Sequence, residues 1–139
     1  MTTDNKLQDV SEFKSVGGVA RIVAATRYSM QGFSHALKYE AAFRQELLLV
    51  VPLLAAVPFA RTSMLEALFV IALGVFVLIV EILNSAIEAV VDRVSLERHP
   101  LSGRAKDLGS AAVFLAITMF LCSWGLLVAM PLLKRFGFL

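Results

Sequence analysis

Acidic side chains sit in this sequence where few belong. On a helix turning ~100° per residue, Glu81, Asn84, Ser85, Glu88 and Asp92 fall within a wedge of roughly 100°, and the residues between them are mostly apolar. A carboxylate inside a bilayer is expensive, so it faces protein or a polar cavity and marks a functional site. One polar residue would read as glue between helices. A row of two glutamates, an aspartate, an amide and a hydroxyl reads as a place for chemistry. Counted from Ala67 near the outer surface, Glu81 lies ~21 Å deep, in the inner half of a ~30 Å hydrocarbon core. Glu88 is ~10 Å further along, close to the cytoplasmic interface. That staging suits a reaction between a lipid headgroup and a water-soluble substrate.

The segment Leu101-Ser-Gly-Arg-Ala-Lys-Asp-Leu-Gly-Ser110 adds a second group. Ser102, following Pro100, is expected to cap a helix. Gly103, Lys106, Asp107 and Ser110 then share one face. A lysine and an acid at a helix start can hold a nucleotide phosphate and its metal. The plainer reading is a snorkelling lysine beside a capping aspartate. Neither a GxxxxGK[ST] loop nor a protein-kinase signature is present, so any nucleotide site is of another kind. A third group is Glu40-Ala-Ala-Phe-Arg-Gln-Glu46, in which Glu40 and Arg44 have the spacing of an ordinary helix pair. Its glutamates read equally as solvated or as functional. His35 and His99 lack ligand spacing and read as surface residues. Cys122 reads as inert, and Phe114, Phe120 and Trp124 as packing or lipid-facing.

The elements that must position these residues follow from composition. Of 139 residues, 58% are hydrophobic and 17% charged, and the mean hydropathy is +0.77. That apolar share exceeds the ~45–50% of soluble domains and points to a small integral membrane protein. A net charge of +2 excludes a strong nucleic-acid footprint, and the single cysteine excludes an internal disulfide or a CxxC metal site. We expect an all-α membrane protein, a single domain over 17–139 behind a flexible tail at 1–16. Spanning helices are expected at about 41–60, 65–92 and 103–133. No signal peptide is expected in residues 1–30.

Residues 17–39 read as an amphipathic surface helix. Val19, Ile22, Val23, Thr26, Met30, Phe33 and Leu37 form one stripe, from which Arg21, Arg27 and Lys38 stand off. Gly32 suggests a break in it. Ten of the thirteen basic residues fall in 1–46 and 93–110, so the N-terminus is expected in the cytoplasm and the C-terminus outside.

The three strings Glu40–Glu46, Val80-Glu-Ile-Leu-Asn-Ser-Ala-Ile-Glu-Ala-Val-Val-Asp-Arg93 and Leu101–Val113 closely resemble the prokaryotic diacylglycerol kinases. The likeness covers about residues 17–133, and the middle string is its most specific part. It implies a homotrimer of three-span subunits with a surface helix, in the bacterial inner membrane. It implies transfer of the ATP γ-phosphate to diacylglycerol, giving phosphatidate, with Mg²⁺ required. By position, Glu81 resembles the catalytic base, and Glu40 and Glu88 the metal-holding glutamates. Arg21, Tyr28, Glu40, Glu88, Lys106, Asp107 and the stretch Glu97-Arg98-His99 match nucleotide-contacting positions. Arg21, Glu81, Asn84 and Ser110 match positions that bind or support the lipid substrate. The sequence departs from the family in residues 1–12, in the apolar identities of its spans and at Pro100.

Two rival readings remain at this stage. Related enzymes phosphorylate undecaprenol, although the basic amphipathic N-terminus looks more like the diacylglycerol type. A small proton-coupled transporter using Glu81 as its relay predicts internal repeats. None is present.

Overall fold

The computed structural model describes residues 18–60, 62–95 and 97–138, all of whose regular structure is helical. The expected tail at 1–16 lies outside the described residues, as do Arg61 and Leu96. The helices are α1 (Val19–Tyr39), α2 (Ala41–Ala56), α3 (Met64–Val94), α4 (Pro100–Trp124) and α5 (Met130–Arg135). A single 3₁₀ turn, Val57–Phe59, follows α2, and a π-helical turn, Gly125–Ala129, joins α4 to α5. Three stretches are long and apolar enough to cross a membrane: Ala41–Phe59, Met64–Val94 and Pro100–Arg135. They match the expected spans closely. At ~1.5 Å per residue, α3 is longer than the ~30 Å hydrocarbon core, so it projects beyond the core.

The chain divides into two units, one ending at His35 and the other running from Ala36 to Leu139. In the first, Thr26 and Ser29 hydroxyls donate to the carbonyls one turn back, Ile22 and Ala25, each at 3.0 Å. The expected break at Gly32 does not occur, and α1 continues through it. A mid-helix glycine costs only ~1 kcal/mol relative to alanine, which the flanking turns absorb.

In the second unit α3 packs along α4 and more briefly against α2. The core is built from Val50, Val57, Ala60, Val70, Leu73, Val77, Ala116, Phe120 and Val128. With lipid as apolar as leucine, such helices associate through close packing, and small residues allow it. Gly74 is one of these: a Cβ there would stand 3.1 Å from Val50 Cγ1 and 3.2 Å from the Leu54 methyls.

Helix ends are closed locally. Ser63 opens α3 in a capping box, accepting the Glu66 N–H while the Glu66 carboxylate accepts the Ser63 N–H at 2.7 Å. The N-cap of α4 is His99, whose Nδ1 accepts the Leu101 N–H at 3.2 Å, and not Ser102 as expected. The physical reason is Pro100: its fixed φ suits the first helical position, which moves the cap three residues upstream, to His99. At the far end, Gly137 adopts φ 76°, and the Gly137 and Phe138 N–H groups close back onto Lys134 and Leu133. That is a Schellman ending, which favours glycine.

The end of α2 needs help from elsewhere. Pro58 has no N–H for the Leu54 carbonyl, which takes the Val57 N–H instead. The Leu53 carbonyl thereby loses its helical donor. Trp124 Nε1 donates to it at 2.7 Å, and Arg135 Nη1 donates to the Phe59 carbonyl at 2.7 Å. Unpaired carbonyls are costly in lipid, so these two bonds tie the end of α2 to the third span.

Candidate functional site at the junction of α3 and α4

The wedge read from the sequence is a real face of α3, and it turns inward where it matters most. Glu81 is 2% exposed and Asn84 9%, while Ser85 and Glu88 are half-buried. Local bonds run up the helix at four-residue spacing. Ser85 Oγ donates to Glu81 Oε1 at 3.5 Å, a long bond, and Asn84 Nδ2 donates to Glu88 Oε1 at 3.2 Å. Glu81 lies close enough to Glu40 and Glu88 for their charges to interact. Glu46 of α2 is also buried, 7% exposed, and its charge interacts with that of Glu81.

Glu46 is the residue the sequence reading undervalued. Read as an acid at a membrane entry, it is instead buried, and its Oε2 has no hydrogen-bond partner in the described structure. One signal was available: Phe43, Glu46 and Val50 recur at three- and four-residue spacing, so the glutamate shares the inward stripe of α2.

Where α3 ends and α4 begins, a cavity of about 520 Å³ opens, lined by Asp92, Ser95, Glu97, Arg98, His99, Pro100, Ser102, Gly103 and Lys106, with Val91. Asp92 and Lys106 form an ion pair across it, Nζ to Oδ1 at 2.6 Å. The structure gathers Glu97, Arg98, His99 and Lys106 into one cleft. Asp107 and Ser110 are exposed on α4 and are not among the residues lining the cavity. Arg21 and Tyr28 are exposed on α1, in the first unit.

Chemically, the arrangement offers a buried carboxylate within a helix apolar enough to cross a membrane, and cationic donors around a cleft at its end. Glu40 and Glu88 supply hard oxygen donors, the type Mg²⁺ takes one or two of, alongside phosphate and water. Among the described residues no group of three or more His, Cys, Asp or Glu side chains is placed to hold a metal ion without such phosphate oxygens.

The model of the prokaryotic diacylglycerol kinase family matches residues 27–128. The chain belongs to this family. Among its relatives, the diacylglycerol kinase of Pseudomonas aeruginosa is 54% identical over 114 residues, covering 82% of this chain and 93% of that protein. That of Escherichia coli K12 is 46% identical over 111 residues, covering 80% and 91%. That of Haemophilus influenzae is 44% identical over 108 residues, covering 78% and 92%. The segment matched to the prokaryotic diacylglycerol kinase family contains every candidate residue from Tyr28 to Ser110, and Arg21 precedes it.

Proposed function

We infer that the protein is an ATP-dependent diacylglycerol kinase, an integral membrane enzyme that phosphorylates 1,2-diacylglycerol to phosphatidate. The observation that carries this reading is Glu81: a carboxylate 2% exposed, inside a span, in a chain of this family.

In the mechanism we propose, Glu81 accepts the proton of the lipid hydroxyl as that oxygen attacks the γ-phosphorus. The bond from phosphorus to the β–γ bridging oxygen breaks and ADP leaves. Phosphoryl transfer asks mainly for positioning and charge neutralisation, and the remaining residues supply these. Lys106 and Asp107, the Glu97–His99 stretch, Arg21 and Tyr28 hold the nucleotide. Arg21, Asn84 and Ser110 support the lipid. Glu40 and Glu88 would hold Mg²⁺, which when bound neutralises phosphate charge. Ser85, donating to Glu81 Oε1, orients the base.

The same reading assigns the chain to the inner membrane of a bacterium, recycling phospholipid, with its N-terminus cytoplasmic and its C-terminus periplasmic. The ten-to-three split of basic residues supports that orientation. Exposed Val19, Ile22, Val23, Met30 and Phe33 support α1 as a helix lying on the membrane surface. The resemblance to the family supports a homotrimer, in which a neighbouring chain would enclose the half-buried Glu88 and Glu40.

The deciding experiment offers purified protein radiolabelled ATP with dioleoylglycerol or undecaprenol in separate mixed micelles. Label in phosphatidate is the expected result. Label only in undecaprenyl phosphate, or in neither lipid, overturns the substrate assignment.

A further inference from the structure

We propose that Gly109 is a positioning residue for the acidic face of α3: its missing side chain leaves the space that the Asn84 amide occupies while it holds Glu88. The importance of Glu88 rests on the kinase reading above. The contact itself does not.

A Cβ added at Gly109 would collide with Asn84 Oδ1, and the next nearest atoms are Cγ and Cβ of the same asparagine. At Gly74 an added carbon would meet two aliphatic side chains of a packed interface. At Gly109 the three nearest atoms all belong to one polar side chain, so this glycine makes room for an amide.

The amide is not gluing α3 to α4. A gluing asparagine in a membrane hydrogen-bonds across to the neighbouring helix. Asn84 spends its Nδ2 along its own helix, on Glu88 Oε1 at 3.2 Å. The oxygen it turns toward α4 is buried without a hydrogen-bond partner. Leaving a buried acceptor unpaired is unfavourable, and a reversed amide would present its oxygen to a carboxylate, which is worse. The geometry is therefore the one that keeps a donor on Glu88, at the expense of the helix contact. A fixed bond to one carboxylate oxygen sets the direction in which the group presents its remaining lone pairs, as partners of metal ligands do. The chain of action runs from Gly109 to the Asn84 amide to the Glu88 carboxylate.

The test is a cycle of Gly109→Ala, Asn84→Ala and the double variant, all assayed with ATP and dioleoylglycerol. Gly109→Ala and Asn84→Ala are each expected to raise the half-saturating Mg²⁺ about tenfold. Because Asn84→Ala removes the colliding atoms, adding Gly109→Ala to it should change that value by less than about twofold. The same cycle is read without metal or substrate by thermal unfolding. Gly109→Ala should lower the melting temperature in the native background and not in the Asn84→Ala background. If Gly109→Ala fails to fold, a double variant that folds supports the clash, and one that also fails overturns it. Equal losses in both backgrounds, or an unmoved Mg²⁺ requirement in either folded single variant, overturn the proposal. A wild-type protein inactive on dioleoylglycerol would sink the kinase reading alone, since the melting cycle still reports the Asn84–Gly109 contact.

Discussion

Lys106 reaches across the junction of α3 and α4 to Asp92, its Nζ 2.6 Å from the carboxylate Oδ1. Both side chains line the same cavity, so a phosphate entering it competes with Asp92 for the lysine. An ion pair this exposed contributes little to stability. Asp92→Asn is accordingly expected to lower the KM for ATP by no more than about fivefold, while Lys106→Ala raises it. Steady-state kinetics against ATP check both. A higher KM in Asp92→Asn would mean that the carboxylate helps to hold the nucleotide.

Glu81→Gln should leave the protein folded, because a neutral amide is easier to bury than a carboxylate. Turnover should nonetheless fall ~10²-fold or more, the usual consequence of losing a general base. Near-normal turnover and Michaelis constants in this variant would make Glu81 a packing residue.

Glu40→Gln and Glu88→Gln each remove a charged oxygen from the donor set assigned to magnesium. Both are expected to lower turnover and to move the half-saturating Mg²⁺ upward. The check is a magnesium titration at fixed total ATP; a variant whose midpoint coincides with the wild type is no ligand variant.

Trp124→Phe keeps an aromatic ring but deletes the donor to the Leu53 carbonyl. Leaving that carbonyl unpaired is expected to cost about 1–3 kcal/mol of stability, with turnover per folded molecule unchanged. Denaturation in detergent micelles, followed alongside activity, separates the two effects. Unchanged stability would show that the carbonyl finds another donor.

Subunit sharing has its own test. Two inactive variants, one at Arg21 or Tyr28 and one at Glu81, are unfolded and reassembled together. Sites built from neighbouring chains should recover a fraction of wild-type activity in mixed trimers. Mixtures as inactive as their parents, with subunit exchange demonstrated, would place each site within a single chain.

What the sequence determined by itself is what a single helix determines. Spanning length depends on local apolarity, so all three spans were legible at nearly their final bounds. The row from Glu81 to Asp92 was legible because residues three and four apart share a face whatever surrounds them. The tertiary structure decided everything that depends on how one helix is rotated and shifted against the next. It made Glu46 a buried neighbour of Glu81 and not a solvated acid at the membrane entry. It paired Lys106 with Asp92 across the turn, and put Trp124 beside a carbonyl orphaned by a distant proline. It also gave Gly109 its meaning, since a glycine in a sequence does not say which side chain needs the space. Periodicity fixes directions around one axis only. Contacts between axes are set by packing, which no spacing along the chain encodes.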